Sequence, residues 1–373
     1  MLRWRCVQGE EREHGPDEPV TVTAQVPAPP YDPHQLRYRW DLDKTYLRTE
    51  FDTVRDLLRT ALETAIQKKT VPGAAALLRE IRGTDPAGIF IVSGSPEQMR
   101  KVLEAKLRLD GIRWDDFVLK PQLTNILRGR FRFVKDQVGY KLASLLDTRA
   151  SMPSDSLEYC FGDDAEADAF IYSIYADLCA GRVDIPTLMR VLEIAGVYPD
   201  VLPRVVRMAE RIPRGGGAIR IFIHLDRVSS PNAFEEYGPR VCPFYNYFQP
   251  ACVLVDHGVL PPLGALRVAA ELVIHHGFTA DALVASYMDL VARHHLGRGA
   301  ADVLVPFVEQ VDDSLLASTA PVLRQFGRLL DAECPRAIAS PPPPPPREID
   351  WVELFGRDRA RARAAKLRSL GRL

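Results

Sequence analysis

Leu36-Arg37-Tyr38-Arg39-Trp40-Asp41-Leu42-Asp43-Lys44-Thr45 is the stretch on which the reading of this chain turns. From Leu36 to Trp40 large apolar side chains alternate with arginines, the two-residue period of a β-strand. The strand then gives way at once to two carboxylates, a lysine and a threonine. Downstream, Thr49 to Lys69 is rich in Leu, Ala, Glu, Arg and Lys and reads as a helix. Pro72 opens a second helix over Gly73 to Ile81. Ile89-Phe90-Ile91-Val92 is wholly apolar and mostly β-branched, as in a strand buried on both faces. Ser95-Pro96-Glu97 starts a helix that carries Leu103 and Leu107 on one side, and another helix covers Tyr140 to Leu146. A strand at Leu157 to Phe161 is followed by a helix from Ala165 to Ala180. The glycine turn Arg214-Gly215-Gly216-Gly217 leads into a strand at Ile219 to Ile223, and Ala251 to Val255 reads as one more. Strands alternating with helices predict the α/β class, with a Rossmann-like, mainly parallel sheet. From Pro262 to Ala332 the signals are helical only, so a C-terminal helical region is expected.

The expected organisation is an N-terminal arm over 1–35, a core over 36–260, a helical accessory region over 261–335, a proline-rich linker over 336–350 and a basic amphipathic tail over 351–373. The six prolines Pro341 to Pro346 predict a polyproline II rod that holds the tail away from the core. In the tail, Trp351, Leu354 and Phe355 precede Arg357, Arg359, Arg361, Arg363, Lys366, Arg368 and Arg372, against Asp358. Such a segment reads either as a solvated tail or as one that lies on an anionic membrane surface.

The formal net charge of −1 gives the whole molecule no pull toward nucleic acid or anionic lipid, so no specific nucleic-acid partner is expected. The cysteines form no C-x-x-C pair and read as buried free thiols of a reducing compartment. Met1 to Glu10 does not read as a secretory signal, and no run approaches the roughly 18 apolar residues of a membrane span. A cytoplasmic placement is the expectation, with peripheral membrane contact through the tail as its variant. His275-His276 and His294-His295 are adjacent pairs whose side chains diverge by about 100° on a helix, so neither is expected to chelate a metal.

In a parallel sheet, ligands bind beyond the carboxyl ends of the strands. Asp41 and Asp43 sit just past such an end, and side chains two apart on extended chain point the same way. Two carboxylates that close need a cation between them or a proton on one of them. A turn leaving the strand, with its side chains capping backbone groups, would use the same residues. Ser93 ends the second apolar strand, where its hydroxyl and nearby N–H groups could hold an oxyanion. Lys141 lies early in a later helix, and Asp163, Asp164 and Asp168 follow the strand that ends at Phe161. Acidic groups leaving two strands at one sheet edge make a hard-oxygen cage suited to Mg²⁺. His224 and Asp226 end another strand and could line the pocket mouth or be solvated there.

In this order the residues resemble the four motifs of the haloacid dehalogenase superfamily: Asp41-x-Asp43-x-Thr45, then Ser93, Lys141, and Asp163 with Asp168. More narrowly, the chain is similar to the phosphatidate phosphatase catalytic domain of the actin-patch-protein and lipin type. Val71-Pro72-Gly73-Ala74, Ser93-Gly94-Ser95-Pro96, and Gly162-Asp163 through Asp168 to Ile171-Tyr172 carry that likeness, which spans about 36–225. The resemblance implies a Mg²⁺-dependent phosphomonoester hydrolase, with phosphatidate or another phospholipid as substrate. It makes Asp41 the nucleophile, through an aspartyl-phosphate, and Asp43 the general acid and base. The implied phosphate-binding set is Thr45, Ser93, Gly94 and Lys141, with Lys135 as the rival of Lys141. The implied metal set is Asp41, Asp43 through its carbonyl, Asp163, Asp164 and Asp168, with either Asp164 or Asp168 completing the site. Arg37 and Arg39 depart from the family's apolar first strand, which predicts a less buried face or paired arginines. Two other readings use the same residues: a phosphatase for a soluble metabolite or a polynucleotide end, and a catalytically idle domain that binds a phospho-ligand.

Overall fold

The computed structural model describes residues 31–47, 69–120, 133–226, 229–310, 316–342 and 348–357, with side chains from 138 onward in the third span and without that of 317. Its centre is a six-stranded, all-parallel sheet in the order β3-β2-β1-β4-β5-β6. The strands are β1 (Leu36–Asp41), β2 (Gly88–Pro96), β3 (Asp116–Lys120), β4 (Leu157–Asp163), β5 (Gly217–His224) and β6 (Val241–Phe244). The chain is α/β with a C-terminal helical region, as expected.

Helices α1 (Ala74–Gly83), α2 (Arg100–Leu109) and α3 (Phe133–Arg149) fall between the first four strands. After β4 come α4 (Asp168–Cys179), α5 (Ile185–Ala195) and α6 (Leu202–Arg211). After β6 come α7 (Phe248–Asp256), α8 (Pro262–His276), α9 (Ala280–Ala292), α10 (Gly299–Gln310) and α11 (Ala320–Glu333). On one side of the sheet, α1, α2 and α7 to α11 share a core with Tyr38, Trp40 and Phe161. On the other, α3 to α6 pack with Cys160, Ile221 and Ile223. Burial on both faces explains why the strands read as apolar runs.

Strand β1 is the informative exception. Arg39 is fully buried beside Glu158 of β4 at 2.9 Å, and its guanidinium also donates to Tyr175 Oη at 3.2 Å. The alternating pattern of β1 therefore records a buried ion pair and not a solvent-facing side, which answers the departure noted at Arg39.

Two expectations are corrected. Ala251 to Val255 is not a strand but the interior of α7, every one of whose residues from Phe248 to Val255 is buried. A short, wholly apolar run has no periodicity to separate a buried helix from a buried strand. The last strand is instead β6, which is only four residues long and contains Pro243. The tail is not held away from the core: 351–357 is helical, and Trp351, Leu354 and Phe355 are buried, with both aromatic rings against Phe170. The helix expected at Thr49 to Lys69 lies outside the described residues apart from Lys69, as do the arm before Tyr31 and the prolines from Pro343 to Pro346. Among the described cysteines, Cys160, Cys179, Cys242, Cys252 and Cys334 are buried free thiols. No helix among the described residues is long and apolar enough to cross a membrane.

The strand order places the site. From β1 the chain moves outward through β2 and β3, then returns to lay β4 on the other flank of β1. That reversal opens a crevice beyond the carboxyl ends of β1 and β4, the usual ligand position in open α/β sheets. Asp41 is the last residue of β1 and Asp163 the last of β4.

Candidate active site

Asp41, Asp163, Glu166 and Asp168 converge in that crevice, each offering an oxygen within 4.8 Å of the others. Lys141, reaching in from α3, places its ammonium 2.7 Å from Asp41 Oδ1, 2.6 Å from Glu166 Oε2 and 2.5 Å from Asp168 Oδ1. The Thr45 hydroxyl lies 3.2 Å from Asp41 Oδ2 and 3.5 Å from Asp163 Oδ2, so it ties the two strand ends together. Asp163 Oδ1 accepts the N–H groups of Ala165 and Glu166 at 2.6 and 3.0 Å, which wraps the turn after β4 around its carboxylate.

That turn depends on Gly162. Asp168, the first residue of α4, accepts the Asp163 N–H through Oδ2 at 3.2 Å and the Lys141 ammonium through Oδ1, and it lies directly over the strand. A Cβ on Gly162 would stand 2.5 Å from Asp168 Cβ, so only glycine allows the helix to settle there.

Asp43 occupies a separate corner. Its carboxylate accepts from Ser93 Oγ at 2.7 Å and from Ser95 Oγ at 3.1 and 3.2 Å, while Ser95 N–H donates to Ser93 Oγ at 3.0 Å. A register shift in β2 between Ser93 and Pro96 brings both hydroxyls to one side, with Gly94 between them. Asp164 is not in the cluster: its Oδ2 accepts the Ser229 N–H at 3.0 Å and so holds the loop after β5. Lys135 lies in α3, but its side chain is outside the described residues. The structure thus brings together Asp41, Thr45, Lys141, Asp163 and Asp168, sets Asp43 with Ser93, and leaves Asp164 elsewhere.

Sequence reasoning missed Glu166 and Ser95. The signal for Glu166 was its place in the turn between Asp163 and Asp168; the signal for Ser95 was its two-residue spacing from Ser93 in an extended segment.

The electrostatics of the crevice are one-sided. Among the described residues, Asp41, Asp43, Asp163, Glu166 and Asp168 face one ammonium, that of Lys141. Burial pushes Asp41 and Asp163 well above the usual carboxylate range; Lys141 pulls against this, and the neighbouring carboxylates add to it. Burial likewise raises Asp168, with Lys141 opposing, and Asp43, with Ser93 and Lys141 opposing. For Lys141 burial disfavours the charge, but Asp168, Asp41 and Glu166 outweigh it and hold the ammonium protonated. Asp41 Oδ1 has the Lys141 ammonium at 2.7 Å and no further hydrogen-bond donor among the described residues. A divalent cation fits such a donor set, because excess buried carboxylate is stable when a second positive charge shares it.

The geometry has a counterpart among known families. Residues 40–187 match the family model of the phosphatidate phosphatase APP1 catalytic domain. The match runs from the end of β1 to the start of α5, and every side chain of the crevice described so far falls within it. It bears out the resemblance read from the motifs and supports a phosphatase. No curated protein and no solved structure matches the chain.

Proposed function

We propose that the crevice hydrolyses a phosphomonoester, with Asp41 as nucleophile and phosphatidate or a related phospholipid as substrate. The observation that carries the reading is the convergence of Asp41, Asp163, Glu166 and Asp168 around Lys141 within an APP1-type catalytic segment. Asp41, at the end of β1, attacks phosphorus in line and forms an aspartyl-phosphate. Asp43 protonates the leaving oxygen; the raised affinity of its carboxyl for a proton suits that role, and Ser93 and Ser95 fix its orientation. In the second half of the reaction Asp43 takes a proton from the attacking water. Lys141, bonded to Asp41, Glu166 and Asp168, neutralises charge on the transferring phosphoryl oxygens, with Thr45, Ser93 and the backbone at Gly94 as further donors. Asp41, Asp163 and Asp168, joined by Glu166, would hold Mg²⁺, which when bound screens the charge between nucleophile and phosphate. In this assignment Asp164 shapes the pocket through Ser229 and is left out of the ligand set.

The tail gives the reading a lipid-facing component. The helix at 351–357 packs on Phe170, in the first turn of α4, and Arg357 pairs with Glu236 at 2.8 Å. The basic residues that the sequence carries after Arg357 would supply the positive charge for peripheral contact with an anionic membrane.

The test is a substrate panel with the full chain and Mg²⁺: phosphatidate in phosphatidylcholine vesicles, sugar phosphates and 3′-phosphorylated oligonucleotides. Phosphatidate is expected to turn over fastest. Preference for a sugar phosphate or an oligonucleotide end would keep the chemistry and replace the substrate. Phospho-ligand binding without turnover of any of them would make the domain a binder.

A further inference from the structure

The 42–47 loop, which follows Asp41 and carries Asp43 and Thr45, is held in part by residues outside the matched segment. Within the loop, Leu42 N–H donates to Val92 O at 3.1 Å, Tyr46 and Leu47 N–H donate to Leu42 O at 3.1 and 2.9 Å, and Lys44 N–H donates to Leu47 O at 2.8 Å. Val71 N–H donates to Tyr46 O at 2.8 Å. The carbonyls of Lys44 and Thr45, at the apex, are met by side chains. His224 Nδ1 donates to Lys44 O at 3.2 Å, and the Tyr247 hydroxyl donates to Thr45 O.

Both side chains are built into the fold. His224 ends β5 in register with Asp163 of β4, so it stands beside the site by strand pairing. Tyr247 is fully buried, lies parallel to Trp40 of β1 at 5.7 Å between ring centroids, and meets Phe244 edge-on at 4.9 Å. The two rings also stack on each other at 5.9 Å. The held backbone is one that would relax if released: Lys44 has φ +59°, in the left-handed region that a lysine adopts only when its surroundings require it. Thr45, whose carbonyl Tyr247 grips, carries the hydroxyl that spans Asp41 and Asp163.

We infer that His224 and Tyr247 are positioning residues that lock the 42–47 loop, so that Asp41, Asp43 and Thr45 stay aimed into one pocket. The β5–α7 part of the chain then belongs to the reacting apparatus, although it lies beyond residues 40–187. The kinetic side of this inference rests on the phosphohydrolase reading above; the structural side does not.

Three full-length variants test it, each compared with wild type for phosphatidate turnover and for deuterium uptake by peptides covering 42–47. Tyr247→Phe keeps the stacked ring and removes only the hydroxyl. Its kcat is expected to fall about tenfold with KM within about twofold, as misplacement of reacting groups produces. Uptake across 42–47 is expected to rise. His224→Ala should behave likewise, whereas His224→Asn, which keeps a donor at the Nδ1 position, should recover most of both losses. A merely structural role for the ring would leave Tyr247→Phe like wild type. A Tyr247→Phe protein with unchanged kcat and unchanged uptake overturns the inference, as does a His224→Asn protein no better than His224→Ala. If wild type turns over no phosphomonoester, the functional reading fails and deuterium uptake alone decides the clamp.

Discussion

Two buried charge clusters are anchored on the same two strands, two positions apart on β1 and five on β4, and they are built on opposite principles. At Arg39 and Glu158 one cation meets one anion. Tyr175 donates to Glu158 Oε2 at 2.7 Å, while Arg39 spends its donors on Glu158, Thr148 and Tyr175, so the group is neutral and saturated. At the carboxyl end, among the described residues, Asp41, Asp163, Glu166 and Asp168 crowd one ammonium, and Asp41 Oδ1 has no donor besides it. The first arrangement serves the fold, since breaking a buried pair strands a charge. The second is costly to the fold and useful only with a ligand that supplies positive charge. Balance marks the scaffold, and imbalance marks the site.

The largest expected effect is at the nucleophile. Asp41→Asn should lower turnover by at least about 10³-fold, as loss of an attacking group does. The same change should raise the unfolding free energy of the metal-free protein by about 1–2 kcal/mol, because it relieves crowding in the crevice. Chemical denaturation beside a turnover assay reads both, and a destabilised variant would erase the contrast between the clusters. Glu158→Ala should do the reverse. Leaving Arg39 unpaired in the core should cost about 3–5 kcal/mol, with kcat per folded molecule little changed. A stable variant that had lost activity would assign that pair to the site instead.

Mg²⁺ should stabilise the wild type by about 2.7 kcal/mol at a hundred times its dissociation constant, read as a rise in Tm. Asp163→Asn should abolish the rise, and Glu158→Gln should not. The smallest effect concerns His257 and His295, held neutral in the fold. Burial pushes each down to about 3 from the usual 6.5. Between those values the unfolded chain binds more protons at both sites, so their contribution to stability falls as pH drops through 6.5. Urea denaturation at pH 7 and 5.5 should show a loss of about 1 kcal/mol for each histidine. The slope should flatten in His257→Asn, which also removes the partner of Tyr159.

Legibility followed the same division. The crevice was readable because its groups sit at strand ends, where a carboxylate after an apolar run stands out, as at Asp41 and Asp163. Lys141 was readable only through motif order, since one lysine in a helix carries no local signal. Glu166 was hidden inside a turn that also serves to cap α4. Strand β6 escaped notice because four residues with a proline give no period, and α7 imitated a strand because all its faces are covered. His224 and Tyr247 act on backbone carbonyls of a loop some 180 and 202 residues away, a relation that only strand pairing and stacking create. The neutral cluster was half legible: the arginines of β1 left open a less buried face or a pairing, and Arg39 is buried through its pairing with Glu158, a partner on another strand that the sequence did not name.

The central claim is that the crowded carboxylates surround a nucleophile, Asp41. The most direct measurement is rapid acid quenching of the Mg²⁺-loaded protein during turnover of ³²P-labelled phosphatidate to detect label on the protein, with a parallel borohydride reduction that releases the phosphate and marks the acylated residue as homoserine for mass spectrometry. An acyl-phosphate on Asp41, absent in Asp41→Asn, is the predicted result. Label on another residue, or turnover that survives the substitution, would contradict it.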